Sequence, residues 1–228
     1  MTHGFLRARH GTMTTYDVPR AGTDFFQGTF DLNVNPAGVI AGYYVDESNA
    51  HHGFLRARDG TITTFDAPEA AQGTSTASVD GINPAGAIAG YTLDASNVNH
   101  GFLRAPDGTF TKFDVPGAAG TVAAGINPAG AIAGSYVDAS NVLHGYVRAP
   151  GGAITTFDAP GAGTGLFQDT SPLSINAPGA IAGDTLDASN VYHGFLRARD
   201  GTITTFDAPG ASTGALRAIS LSATTRSG

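Results

Sequence analysis

Short apolar runs of strand length, cut at regular intervals by turn residues, make up this chain. "HGFLRA", "TITTF" and "AIAGYTLD" are rich in the Ile, Phe, Thr and Tyr that strands favour. Gly, Thr and Pro interrupt every window in which a helical period would have to be sustained. Asn-Pro-Ala-Gly separates two of these runs, and Asp-Gly at Asp59-Gly60, Asp107-Gly108 and Asp200-Gly201 separates two more as a hairpin turn. The pattern therefore predicts strands only, joined mostly by tight turns.

The runs recur. A His-Gly pair stands at His3, His52, His100, His144 and His193, in steps of 49, 48, 44 and 49 residues. An Asp-x-Pro element keeps step with it at Asp17, Asp66, Asp114, Asp158 and Asp207, and an Asn turn recurs at Asn35, Asn83, Asn127 and Asn176. Each unit of about 47 residues reads as four antiparallel strands, the repeat size of one propeller blade. The chain opens at the third strand of a unit and finishes with "GALRAISLSATTR", which aligns with a first strand. The expected architecture is thus an all-β, five-bladed β-propeller of four-stranded blades. It occupies 1–228 as a single domain, and its fifth blade is split between 1–19 and 213–228, so that the termini close the ring. A solenoid is the rival, with usually shorter units and a need for capped ends.

Composition narrows the function. Apolar residues reach 41 % and charged ones only 14 %, enough to bury a core. A net charge of −7 without a basic cluster argues against nucleic acid as partner. There is no cysteine, hence no disulfide framework and no thiolate metal site. No apolar run approaches the ~18 residues of a membrane span, and no signal sequence opens the chain. The expectation is a soluble monomer, or the mature part of a longer protein, that does not insert into membranes.

The unit "GINPAGAIAGYTLDASNVNHGFLRAPDGTFTKFDVPGA" resembles the HAF-type extracellular repeat of bacteria, with its Ile-Asn turn, Ile-x-Gly strand, His-(Ala/Gly)-Phe and Gly turn. Gly after His (Gly53, Gly101), and Arg where that family often has an aromatic residue (Arg56, Arg104), depart from it. The resemblance covers nearly the whole chain and implies a secreted or cell-surface repeat protein. In length and repeat size the chain is also similar to five-bladed lectins of the tachylectin type, although no lectin motif is shared.

Several residues invite chemistry. The loops holding Asp46 and Asn49, Asp94 and Asn97, Asp138 and Asn141, and Asp187 and Asn190 offer hard oxygens to sugar hydroxyls, or else fold their own turn. One carboxylate per loop is thin for calcium, so no metal and no cofactor are expected. Phe25, Phe26 and Phe167 are candidate sugar-stacking groups. The five histidines face the five Asp-x-Pro aspartates across a hairpin and suit a structural His–Asp bond, and Arg7, Arg56, Arg104, Arg148 and Arg197 suit pairing with a neighbouring aspartate. Asp31, Asp80, Asp169 and Asp184 break the repeat and are the residues a glycosidase would use as acid and base. Because equal copies argue against a single active site, the expected function is a non-catalytic extracellular binding or scaffold module. A multivalent carbohydrate ligand is the leading partner, and a protein partner is the other. The alternatives are a glycoside hydrolase-like enzyme and a purely structural repeat.

Overall fold

The computed structural model describes residues 1–8, 10–70, 73–76, 81–165 and 168–209, without the side chains of 31, 32, 75 and 76. Asp80, Phe167 and the C-terminal segment 213–228, expected to complete the split blade, lie outside the described residues, as does the side chain of Asp31. No helix occurs among the described residues.

An N-terminal hairpin comprises β1 (Gly4–Arg7) and β2 (Met13–Tyr16). Four complete repeats follow. The first holds β3 (Gly28–Val34), β4 (Ile40–Val45), β5 (His51–Arg56) and β6 (Ile62–Phe65). The second holds β7 (Gly73–Thr76), β8 (Ile88–Leu93), β9 (Asn99–Arg104) and β10 (Phe110–Phe113). The third runs through β11 (Gly120–Ile126), β12 (Ile132–Val137), β13 (Leu143–Arg148) and β14 (Ile154–Phe157), and the fourth through β15 (Asp169–Ile175), β16 (Ile181–Leu186), β17 (Tyr192–Arg197) and β18 (Ile203–Phe206). Each repeat is an antiparallel meander. Within each unit, consecutive complete repeats touch through a single parallel bridge, His51 with Gly73 in the first and Leu143 with Asp169 in the second. Thr2 bridges Gly28 in the same parallel sense, so β1–β2 meets β3 as the outer half of one repeat meets the next. The chain divides into two compact units, Met1–Lys112 (unit 1) and Phe113–Gly228 (unit 2).

Apolar clusters form between one repeat and the following one. In unit 1, Tyr16, Val18 and Ala21 pack on Ile40, Tyr44 and Phe54, and Ala41, Phe65 and Ala67 pack on Ile82, Ile88 and Phe102. In unit 2, Ala133, Phe157 and Ala159 pack in the same way on Ile175, Ile181 and Phe195. Phe54 and Phe195 are wholly buried, and each such ring contributes roughly 1.5–3 kcal/mol. The small residues of "AIAG" are required by these rings. A Cβ on Gly42 would stand 2.7 Å from the Phe54 ring, and one on Gly183 2.7 Å from that of Phe195.

Polar side chains tie the repeats as well. The N–H groups of Val18, Ala67, Val115 and Ala159, each the middle residue of Asp-x-Pro, donate to the hydroxyls of Thr29, Thr74, Thr121 and Thr170 at 2.9–3.1 Å. All four threonines are fully buried. Asn35 and Asn127 accept from the N–H four residues on and donate to the carbonyls of Asn83 and Asn176 of the following repeat. The repeated arginines differ from expectation. Arg56, Arg104, Arg148 and Arg197 lie over the rings of Tyr16, Phe65, Phe113 and Phe157, 4.6–4.9 Å from their centroids. Each guanidinium meets an aromatic ring of the preceding repeat where an aspartate was expected.

Candidate functional site

From the Ile-Ala-Gly strand through the His-Gly-Phe strand, the four complete repeats agree almost residue for residue. Most differences conserve chemistry, as Val for Leu or Phe for Tyr. Four positions do not: Tyr44, Thr92, Tyr136 and Thr185 alternate, Glu47 stands against three alanines, and two further positions share one face of the sheet. One carries Tyr43, Tyr91, Ser135 and Asp184 in turn, and the other His51, Asn99, Leu143 and Tyr192. The register brings them together. Tyr43, Tyr91, Ser135 and Asp184 pair directly with Phe30, Ser75, Val122 and Ser171 of the first strand. On the other side they face the glycines Gly53, Gly101, Gly145 and Gly194, and the second variable residue lies two places away on that strand, hence on the same face. Each sheet thus carries one cross-strand column whose chemistry changes from repeat to repeat.

In the fourth repeat the column is acidic. Asp169 opens β15 where the other repeats have Gly28, Gly73 and Gly120, and Asp184 stands on β16 opposite Ser171. Both carboxylates are half-buried. Asp169 is held from two sides: the Ser171 hydroxyl donates to Oδ2 at 3.0 Å and the Leu186 N–H to Oδ1 at 2.9 Å. Burial nevertheless leaves its carboxyl above the ordinary range, against the pull of those two bonds. Burial first, and the charge of Asp169 second, push the Asp184 carboxyl up to about 6, outweighing the lowering bond from its own backbone N–H. Tyr192 sits diagonally across β16–β17, its hydroxyl kept protonated by burial and by both carboxylates. Two acids in unlike environments, one bonded by Ser171 and Leu186 and the other raised mainly by burial, form a pair able to divide the roles of base and acid. Asp169 and Asp184 were singled out by the sequence. Ser171 and Tyr192 were not, although the changing residue beside each repeated histidine was the signal that marks Tyr192.

In the first repeat, in unit 1, the column is aromatic. Phe30 and Tyr43 stack with centroids 4.9 Å apart and planes 8° apart, and Tyr43 stacks on His51 at 5.2 Å and 8°. Burial raises the Tyr43 phenol, with Tyr91 adding to it, and lowers the His51 imidazole, so both are neutral near pH 7.

The Asp-x-Ser-Asn loops use their oxygens internally. Oδ1 of Asp46 accepts the N–H groups of Ser48 and Ala50 at 2.8 and 2.9 Å, and Asp94, Asp138 and Asp187 repeat the arrangement. Asn49, Asn97, Asn141 and Asn190 occupy the left-handed backbone region, which Asn tolerates. Four bonds, first that of the Ser48 hydroxyl, then those of the Ala50 N–H, His52 and the Ser48 N–H, hold Asp46 down to about 2 against its burial. His3, His52, His144 and His193 meet Asp17, Asp66, Asp158 and Asp207 through Nδ1 at 2.7–2.9 Å. His52, His100, His144 and His193 also reach Asp46, Asp94, Asp138 and Asp187 through Nε2 at 3.2–3.5 Å. No His/Asp/Glu group among the described residues has the arrangement of a metal site. Phe25 and Phe26 are 81 % and 78 % exposed, on a turn pinned by the buried side chain of Gln27, which accepts from the Asp24 N–H and donates to Asn49.

No known family's sequence profile matches the chain, and no curated protein is significantly similar to it. The resemblance to HAF-type repeats therefore stands on its motifs alone. Among solved structures the chain is similar to a streptogramin B lyase, with a TM-score of 0.56 at 17 % identity, over 90 % of this chain and 62 % of that one. It spans less than two thirds of that structure's length. A virginiamycin B lyase from Staphylococcus aureus matches at a TM-score of 0.48 and 14 % identity, covering 92 % of this chain and 78 % of that one. A dipeptidyl peptidase 4 from Porphyromonas gingivalis matches at 0.44 and 12 %, covering 90 % and 27 %. The first likeness shows an all-β, propeller-like fold. It also corrects the expectation of a chain that is not an enzyme: the solved structure it resembles is a lyase, so this fold carries catalysts. The premise behind that expectation fails too, because one repeat breaks the equality of the copies at Asp169 and Asp184.

Proposed function

We propose that this protein is an acid–base enzyme that cleaves the C–O bond of an uncharged glycoside, with Asp184 as general acid and Asp169 as general base. The observation that carries this reading is the carboxylate pair of the fourth repeat, one member bonded by Ser171 and Leu186 and the other raised by burial to about 6. In the proposed step Asp169 takes a proton from water as the water oxygen bonds to the anomeric carbon. The C–O bond to the leaving group breaks, and the Asp184 proton passes to the departing oxygen. Tyr192, a neutral phenol beside both acids, orients the substrate. Two half-buried acids in a chain of net charge −7 suit a neutral substrate better than a polyanion.

The test is hydrolysis of a panel of 4-nitrophenyl glycosides and neutral oligosaccharides. Activity should decline as pH rises through about 6, where Asp184 loses its proton. D184N and D169N should each lower kcat/KM by about 10²–10⁴-fold. Unchanged turnover in both variants would overturn the assignment, as would a wild-type profile flat through pH 6.

The same reading takes the sheets as blades of a five-bladed ring, with β1–β2 as the outer half of a blade completed by residues 213–228. Its support is the parallel bridge from Thr2 to Gly28, which repeats the bridge between complete repeats.

A further inference from the structure

We infer that unit 1 carries a separate binding subsite for a neutral pyranose ring, formed by Phe30, Tyr43, His51 and Tyr91. Its substrate class is that of the glycosidase reading, but it rests on these four residues and does not require the carboxylate chemistry.

Three observations converge on it. The first is placement: Tyr43, Tyr91 and His51 occupy two same-face positions at which otherwise near-identical repeats change chemistry, and Phe30 pairs directly with Tyr43. Ile40, Ala41 and Gly42, which pack the sheet beside them, recur unchanged in every complete repeat. The second is form: Phe30, Tyr43 and His51 make one parallel stack, half-buried and so still reachable by solvent. Each ring is locked by its neighbour, which removes most of the ordering cost of binding. The third is polarity. Burial raises the Tyr43 phenol and lowers the His51 imidazole, so neither is charged near neutral pH. Phenol hydroxyls and imidazole nitrogens nevertheless border the apolar ring surface.

A pyranose has a matching division, with an apolar C–H face and a rim of hydroxyls that both donate and accept. An anionic ligand would find no cation among the four residues, and a purely apolar one would leave the phenols and imidazole unpaired. The Asp-x-Ser-Asn loops are poorer candidates for the same ligand, because their carboxylates are already occupied by backbone N–H groups and histidines.

The experiment is saturation-transfer-difference NMR with methyl glucoside, galactoside, mannoside and xyloside. It is run on the wild type, on D184N and on the double variant Tyr43→Ser, Tyr91→Ser. Serine is the residue the third repeat itself carries at this position, Ser135, so the sheet accommodates it. The expected result is transfer from at least one glycoside in the wild type and in D184N, and affinity weakened about tenfold in the double serine variant, the scale of a lost aromatic contact. Transfer from none of the four, or equal transfer in the serine variant, would overturn the subsite. Transfer lost in D184N but kept in the serine variant would also overturn it, by moving recognition to the carboxylate pair. Intact transfer in D184N together with unchanged turnover would sink the catalytic reading and leave this one standing.

Discussion

Asp184 weakens the fold at neutral pH, which is the clearest sign that it is not there for packing. Its carboxyl binds a proton more tightly in the folded chain, at about 6, than at its ordinary 3.8. The folded state therefore holds more protons than the unfolded one between these values, so stability falls as pH rises from 3.8 through about 6 and stays lowered above it. D184N removes that titration. Its melting temperature should exceed the wild type's at pH 8, and the advantage should vanish near pH 3.5. Equal melting temperatures at pH 8 would mean that Asp184 is better solvated than its surroundings imply. Tyr43, Tyr91 and Ser135 hold the equivalent place without this cost.

Between repeats, a hydroxyl does work that looks minor in the sequence. Thr121 is fully buried, and its oxygen accepts the Val115 N–H at 3.1 Å. Valine has the same shape and cannot accept. T121V should therefore destabilise the protein by about 1–3 kcal/mol in urea unfolding, the cost of a buried donor left unpaired. A value near zero would mean that the N–H finds another acceptor. Arg56, Arg104, Arg148 and Arg197 act at the same junctions by lying over aromatic rings, a contact that uses the flat guanidinium as well as its charge. Within each unit, strand pairing alone would leave a junction with one parallel bridge, so these contacts and the apolar clusters carry most of the cohesion there.

For the whole chain, the proposed ring makes a demand on its ends. If residues 213–228 complete the blade begun by β1–β2, then a chain ending at Pro209 leaves that blade without its inner strands. Its melting temperature should drop by more than about 5 °C, the shift expected for losing roughly 2 kcal/mol in a domain of this size. An unchanged melting temperature would remove the split blade and favour an open array.

The repeat, the strands and their turns were legible in the amino-acid order, because Asn-Pro, Asp-Gly and Asp-x-Pro act locally, through backbone geometry that does not depend on distant contacts. The odd residues Asp169 and Asp184 were legible for the same reason, as breaks in a pattern. Their partnership was not. Asp169 and Asp184 stand 15 positions apart in the chain, and only the β15–β16 register, with Ser171 opposite Asp184, brings them into one column with Tyr192. The arginines were misread because an ion pair is the simplest partner for a charge in sequence, whereas the packing of one repeat on the next offers an aromatic ring. The loop aspartates offered oxygens on paper, and folding consumed them in N–H bonds. A linear pattern names which groups are available; which of them remain unpaired, buried and facing one another is settled only when the strands pair and the repeats pack.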